Sequence, residues 1–129
     1  MSKKTVIHLR DQYLRVTFIS YMLCGFKKFQ HYILCREIYK NDKNLYPFEN
    51  IIKTHGVFSV FWMIDKILVS GIKLHSRVIN DWISYYFSIK KLSNVVVIHA
   101  HMGQQGYYAI PLSRKLNIPL VVTFYGADM

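Results

Sequence analysis

Acidic residues are scarce. Seven Asp and Glu stand against seventeen Lys and Arg in 129 residues, a formal net charge of +10. The imbalance favours anionic partners: nucleic acid, anionic lipid or a phosphorylated substrate. Cysteine is nearly absent, and Cys24 and Cys35 are too few for a disulfide framework in a chain of this size. Both lie in apolar contexts and read as buried, reduced thiols. Three prolines and six glycines beside 52% hydrophobic residues exclude collagen-like, linker-dominated and disordered classes, because the apolar surface offsets chain entropy. No run reaches the roughly 18 apolar residues of a membrane span; the best candidate, 57–72, carries Asp65 and Lys66 in its middle. The short apolar stretch at the start is broken by His8 and Arg10, unlike a signal peptide. The expectation is one domain over 1–129, cytoplasmic, with peripheral contact to an anionic inner-membrane face through Lys27, Lys28, Lys66, Lys73, Arg77, Lys90 and Lys91.

Thr5 to Leu9 reads as a short buried strand, followed by a polar loop over 10–15. Phe18, Met22, Phe26 and Phe29 recur at three-to-four spacing, predicting a helix that Thr17 can cap. His31 to Cys35 reads as a second strand, and 40–49 as a loop. Two helices broken near Gly71 are expected next. The second carries the stripe Leu74, Val78, Trp82, Tyr85, Ile89 and Leu92, which reads as core. Val95 to Ile98 is an uninterrupted apolar run, as in a strand covered on both faces. A glycine-bearing turn over 101–106 follows, then a helix marked by Tyr108, Leu112 and Leu116 with Pro111 in its early turns and Asn117 as cap. Residues 119–124 close a β-α-β unit with parallel strands. About four strands are counted in all. The fold class expected is α/β, a Rossmann-like parallel sheet with helices on both faces, incomplete at its carboxyl terminus and so a piece of a longer protein.

Open parallel sheets bind ligands outside the carboxyl ends of their strands. Residues 10–17, 99–106 and 125–128 meet that description. His99 and His101, two apart, leave a strand on one side, with His101 further out and exposed to the cleft. Gly103 and Gly106 let backbone N–H groups approach an anion at a helix N-terminus. Gly126 permits a close approach beside Asp128, which is a base, a hydroxyl orienter or a helix cap.

Taken together, His99-Ala100-His101-Met102-Gly103, Gly106-Tyr107-Tyr108-Ala109 and the block from Ile110 through Arg114-Lys115-Leu116-Asn117-Ile118-Pro119 to Thr123-Phe124-Tyr125-Gly126-Ala127-Asp128 resemble the acceptor-side half of GT-B glycosyltransferases of group 1 (family 4), as in bacterial exopolysaccharide and lipopolysaccharide synthesis. The strong likeness covers about 30 residues, with Thr17-Phe18-Ile19 a weaker match to the family's first loop. Tyr125 stands where the family usually has His, and Val16 where it commonly has Glu. The donor-binding half, with glutamates eight apart, is missing. The resemblance implies an enzyme that moves a sugar from a nucleoside-diphosphate donor to a glycan or lipid-linked acceptor, with no cofactor and no metal. His101 and Asp128 would be catalytic; Thr17, His99, Gly103, Gly106, Tyr125 and Gly126 would bind substrate. His101→Ala and Asp128→Asn are then each expected to lower turnover by about tenfold or more, with folding nearly unchanged if both are exposed in the cleft.

Two other classes fit the composition. A truncated, non-catalytic remnant is compatible with everything above. A basic nucleic-acid-binding module fits the charge and the 16% aromatic content, but no recognition helix or single-strand motif is present, so no specific nucleic-acid partner is expected.

Overall fold

The computed structural model describes residues 3–10, 12–13, 23, 25–38, 50–54 and 76–126. Five strands, β1 (Thr5–Leu9), β3 (Gln30–Cys35), β5 (Ile51–Lys53), β6 (Val95–His101) and β7 (Leu120–Thr123), form one sheet in the order β5-β3-β1-β6-β7, parallel at every pairing. Beyond Arg10 and Arg36 the chain segments after β1 and β3 pair again briefly, as β2 (Gln12–Tyr13) against β4 (Glu37–Ile38), with β2 inside what reads in the sequence as a polar loop. The sheet has one strand more than the sequence suggested. β5 is three residues long, too short to show a period against its loop-like surroundings.

Alternation along each strand divides the sheet into two chemically different faces. On one, Ile7, Leu9, Leu34, Ile98 and Ala100 are buried beneath Tyr85 and Ile89 of α1 (Ser76–Lys90) and Ala109 and Leu112 of α2 (Gly103–Leu116). Trp82 and Leu92 of the predicted stripe pack at the border of this core. On the other, Ile33 and the buried Cys35 pack with Leu23, flanked by Ile38 and Ile51. Both described helices thus cover the same face. The helix expected through Phe29 stops short of it: residues 26–29 form an exposed turn before β3, so Phe26 and Phe29 are not on a buried helical stripe. The helix expected before Gly71 lies outside the described residues, as does Cys24.

α2 starts earlier than the glycines suggested, at Gly103, which puts Pro111 in its middle rather than its first turns. Proline has no N–H, so the Tyr107 carbonyl four residues back loses its helical donor. Both residues are exposed, which leaves that carbonyl open to water. The helix ends as predicted at Asn117, in the left-handed conformation with φ 53° and ψ 43°. The N–H groups of Asn117 and Ile118 return to the carbonyls of Arg114 and Ser113, and Pro119 prevents continuation.

Candidate functional site

The order β5-β3-β1-β6-β7 places the first strand at the centre, with later strands added outward on either side. The direction of winding therefore reverses between β1 and β6, and the crevice at their carboxyl ends is where such sheets bind ligands. Arg10 follows β1 there, and the chain turns from β6 into α2 at Met102. Met102 adopts φ 86° and ψ 146°, a region that side-chain-bearing residues rarely occupy, held by a 2.9 Å bond from its N–H to the Thr123 carbonyl.

A row of histidines crosses the face opposite α1 and α2. His31 Nδ1 lies 3.0 Å from His8 Nε2, His8 Nδ1 3.0 Å from His101 Nε2, and His101 Nδ1 2.8 Å from the Tyr125 hydroxyl. The strand register explains the row. His31 pairs with Val6, His8 with His99 and His101 with Thr123. Each link joins a residue to the one two positions beyond its cross-strand partner, so the chain climbs diagonally from β3 to the carboxyl end of β7. The 2.7 Å contact of His99 Nε2 with Thr123 Oγ1 repeats the same step, since His99 pairs with Val121.

One backbone carbonyl orients the whole row. His31 Nε2 is 3.0 Å from the carbonyl of Phe26, which can only accept. In the neutral chain His31 therefore carries its proton on Nε2 and accepts at Nδ1. His8 must then donate from Nε2 and accept at Nδ1, His101 must do the same, and the Tyr125 O–H donates into His101. Burial is the main cause holding the His8 and His101 rings neutral. It lowers His8 to about 2, reinforced by the charges of His101, His99 and His31, and His101 to about 3, reinforced by His99 and Arg10. His99, half-buried, is also lowered by burial.

Ring nitrogens of His8, His99 and His101 lie within 4.8 Å of one another, close enough to be considered as metal ligands. The orientation of the first and last favours a hydrogen bond instead. The His8 and His101 ring centroids are 5.2 Å apart, their planes within 26°, and the facing nitrogens 3.0 Å apart, so the two rings meet nearly end to end. Their lone-pair axes run along one line, whereas a tetrahedral ion needs them to converge at a wide angle. Chelation would require both rings to turn and the His8–His101 bond to break.

The structure corrects several expectations. His101 and His99 do share a face, but His101 is 1% exposed rather than open to the cleft. Gly103 and Gly106 are packing glycines. A Cβ on Gly103 would meet the Phe124 ring at 2.7 Å, and one on Gly106 would meet both Val122 methyls at 2.7 Å. The Gly106 N–H is committed to the Met102 carbonyl at 3.1 Å and is not available to an anion. Gly126 is exposed with open space above it, and Tyr125 is half-buried at the end of the histidine row. Thr17 and Asp128 lie outside the described residues.

The sequence reading placed Arg10 only as the first residue of the 10–17 segment and missed His8 and His31 as parts of the same site. Arg10 is 8% exposed, and among the described residues its Nε and Nη1 have no hydrogen-bond partner. It follows Leu9, which pairs with Ala100, so it stands beside His101; its N–H is fixed to the Leu34 carbonyl at 3.0 Å. By alternation its side chain falls on the histidine face. Burial pushes the guanidinium below its ordinary value, partly opposed by Tyr125.

Comparison with protein-family models, with curated proteins and with solved structures finds no match to this chain.

Proposed function

We propose that the chain is the acceptor-binding half of a sugar-nucleotide-dependent glycosyltransferase, with its cleft at the carboxyl edge between β1 and β6. The observation that carries this reading is the convergence of Arg10, His101 and Tyr125 with the start of α2 at the point where the strand order reverses. The family likeness of residues 99–128 adds the reaction class: transfer of a sugar from a nucleoside diphosphate to a glycan or lipid-linked acceptor.

Within that reading Tyr125 takes the position of the family's usual histidine. Its proton is committed to His101, and its ring lies within 7° of the His101 plane at the end of the row. His101 is a positioning residue that orients the ring through the His8–His31 row. Desolvation by the cleft and fixed donors around the reacting groups supply the rate enhancement, while the diphosphate is carried by a second domain.

Saturation-transfer NMR of the chain with oligosaccharides and with nucleotide sugars tests this. Contacts are expected from a glycan acceptor, weakened at least fivefold by Tyr125→Phe, with no turnover of any nucleotide sugar by the chain alone. Absence of glycan contacts across the panel, or turnover without a second domain, overturns the reading.

Contact with an anionic membrane face is part of the same proposal, with a geometric refinement. Lys3 and Lys4 precede β1, Lys27 and Lys28 precede β3, Lys90 and Lys91 precede β6, and Arg114 and Lys115 precede β7, all exposed. In a parallel sheet these positions lie at the amino-terminal edge, opposite the cleft. A surface bound through them would face away from the crevice, so membrane contact and acceptor capture are separate functions of separate edges.

A further inference from the structure

A guanidinium stays protonated in any protein environment, and its five N–H groups need acceptors. Arg10 is buried at the carboxyl edge, yet its Nε and Nη1 find no acceptor among the described residues. Beside it, the His101 Nε2–H is spent on His8 and the Tyr125 O–H on His101. No described carboxylate answers the charge. Immediately beyond His101, α2 begins with no side-chain cap and no acidic residue in its first turn. Its first N–H groups therefore carry the positive end of a 14-residue helix dipole toward the same edge.

We propose that this edge is a phosphate site, in which Arg10 holds a phosphate group of the substrate against the start of α2. Two sets of donors stand at this edge: the guanidinium fork, suited to bidentate binding of an oxyanion, and the backbone N–H groups of the helix. A carboxylate has two oxygens, and the fork alone occupies both. A phosphate has oxygens left for the helix. The strained turn at Met102 supports the assignment, since it sets the entry of α2 directly after His101. The Tyr125 ring closes the side next to His101, stacked within 7° of its plane.

The proposal rests on the cleft assignment above but not on sugar transfer. Phosphate binding is read without a donor, so its failure leaves transfer to a neutral acceptor standing. Lack of glycan binding equally leaves the phosphate site standing.

Thermal melting and calorimetric titration of the 129-residue chain test it, with inorganic phosphate, glucose 1-phosphate, glucuronate and a sodium chloride control at matched ionic strength. Phosphate is expected to raise the melting temperature in a saturable way, because a ligand bound only by the folded state stabilises it. Glucose 1-phosphate binding more tightly than phosphate identifies the group as part of a sugar substrate. Inorganic phosphate binding as tightly as glucose 1-phosphate supports the site and makes the free ion its ligand.

Arg10→Met is expected to melt higher than the parent in phosphate-free buffer, since it removes an unpaired buried charge, and to bind phosphate at least tenfold more weakly. Arg10→Lys should retain part of the affinity. Three results overturn the site: an Arg10→Met variant that melts lower without phosphate, an equal phosphate effect in parent and variant, or a stronger response to glucuronate than to either phosphate.

Discussion

His8 Nδ1 and His101 Nε2 meet at 3.0 Å across adjacent strands, 93 positions apart in the chain. The bond belongs to a row whose polarity is set at one end by the Phe26 carbonyl and delivered at the other to the Tyr125 hydroxyl. Every proton in the row has one place to sit while the rings are neutral.

The tautomers are therefore a direct test of the row. Long-range nitrogen–proton NMR should show His31, His8 and His101 all protonated on Nε2 and bare on Nδ1. An Nδ1–H tautomer at any of the three would break the donor sequence. Addition of zinc is expected to leave these signals unchanged; loss of the Nε2–H resonance of His101, with new shifts at His8 and His99, would show chelation in place of the row.

The lowered values of His8 and His101 make stability depend on pH with a defined sign. An unfolded chain protonates these histidines near pH 6.5, while the folded one resists to about 2 and about 3. Below pH 6.5 the unfolded state binds more protons, so the stabilisation present above 6.5 is lost progressively as pH falls toward those values. Each ring contributes a slope of up to about 1.4 kcal/mol per pH unit. Chemical denaturation between pH 7 and 4.5 should show this decline. His101→Gln should be less stable at neutral pH but fall less steeply, and an unchanged slope would mean that His101 is already charged in the folded state.

The expected tolerance of His101 to truncation does not survive its burial. His101→Ala removes the acceptor of the Tyr125 proton and the donor to His8, leaving buried polar atoms unpaired, a cost of about 1–3 kcal/mol. Any loss of turnover in that variant has to be separated from a lowered melting point. Tyr125→Phe is the cleaner probe, since it removes one hydroxyl from the half-buried end of the row.

The fold was legible where one segment carried its own period. Thr5–Leu9, the stripe Trp82, Tyr85, Ile89, and the unit from Val95 through Asn117 to Thr123 all declare themselves locally. The site was not, because it is written in register. His8 reads in sequence as an interruption of an apolar strand, and His31 as the polar start of another. Only the pairings of His31 with Val6 and His8 with His99 bring them into line. Likewise Gly103 and Gly106 look like phosphate-loop glycines until Phe124 and Val122, supplied by the next strand segment, are seen against them. Arg10 opened the 10–17 segment expected at the ligand edge, but nothing local marked it as buried, since a charge after a strand is ordinarily solvated.

Two backbone substitutions near the turn should move stability in opposite directions. Gly106→Ala places a methyl 2.7 Å from both Val122 methyls, and overpacking of this kind costs about 1–3 kcal/mol. Val122→Ala in the same chain should recover part of the loss, giving a favourable coupling in a double-mutant cycle. Met102→Gly relieves a conformation suited to glycine and should stabilise by about 1 kcal/mol, offset by the half-buried side chain it removes. Stabilisation by the first or neutrality of the pair would contradict the packing described.

The cation pairs that precede β1, β3, β6 and β7 make the last prediction. Part of their role is local: Lys90, Arg114 and Lys115 sit in the last turns of α1 and α2, where cations complement the dipole. Lys3, Lys4, Lys27 and Lys28 have no such position in the described helices, yet the topology gathers them at the same edge. Each cation near an anionic bilayer contributes about 1 kcal/mol, a sum that exposed pairs retain only at low ionic strength. The chain should partition onto vesicles containing phosphatidylserine and not onto neutral ones, with binding lost as salt is raised. Replacing Lys3, Lys4, Lys27 and Lys28 by Ser should weaken partition strongly while leaving the phosphate response at Arg10 intact, because the two sites lie at opposite edges of one sheet. Loss of both together would place the anion contact on the basic edge, and unchanged partition would place the membrane contact elsewhere.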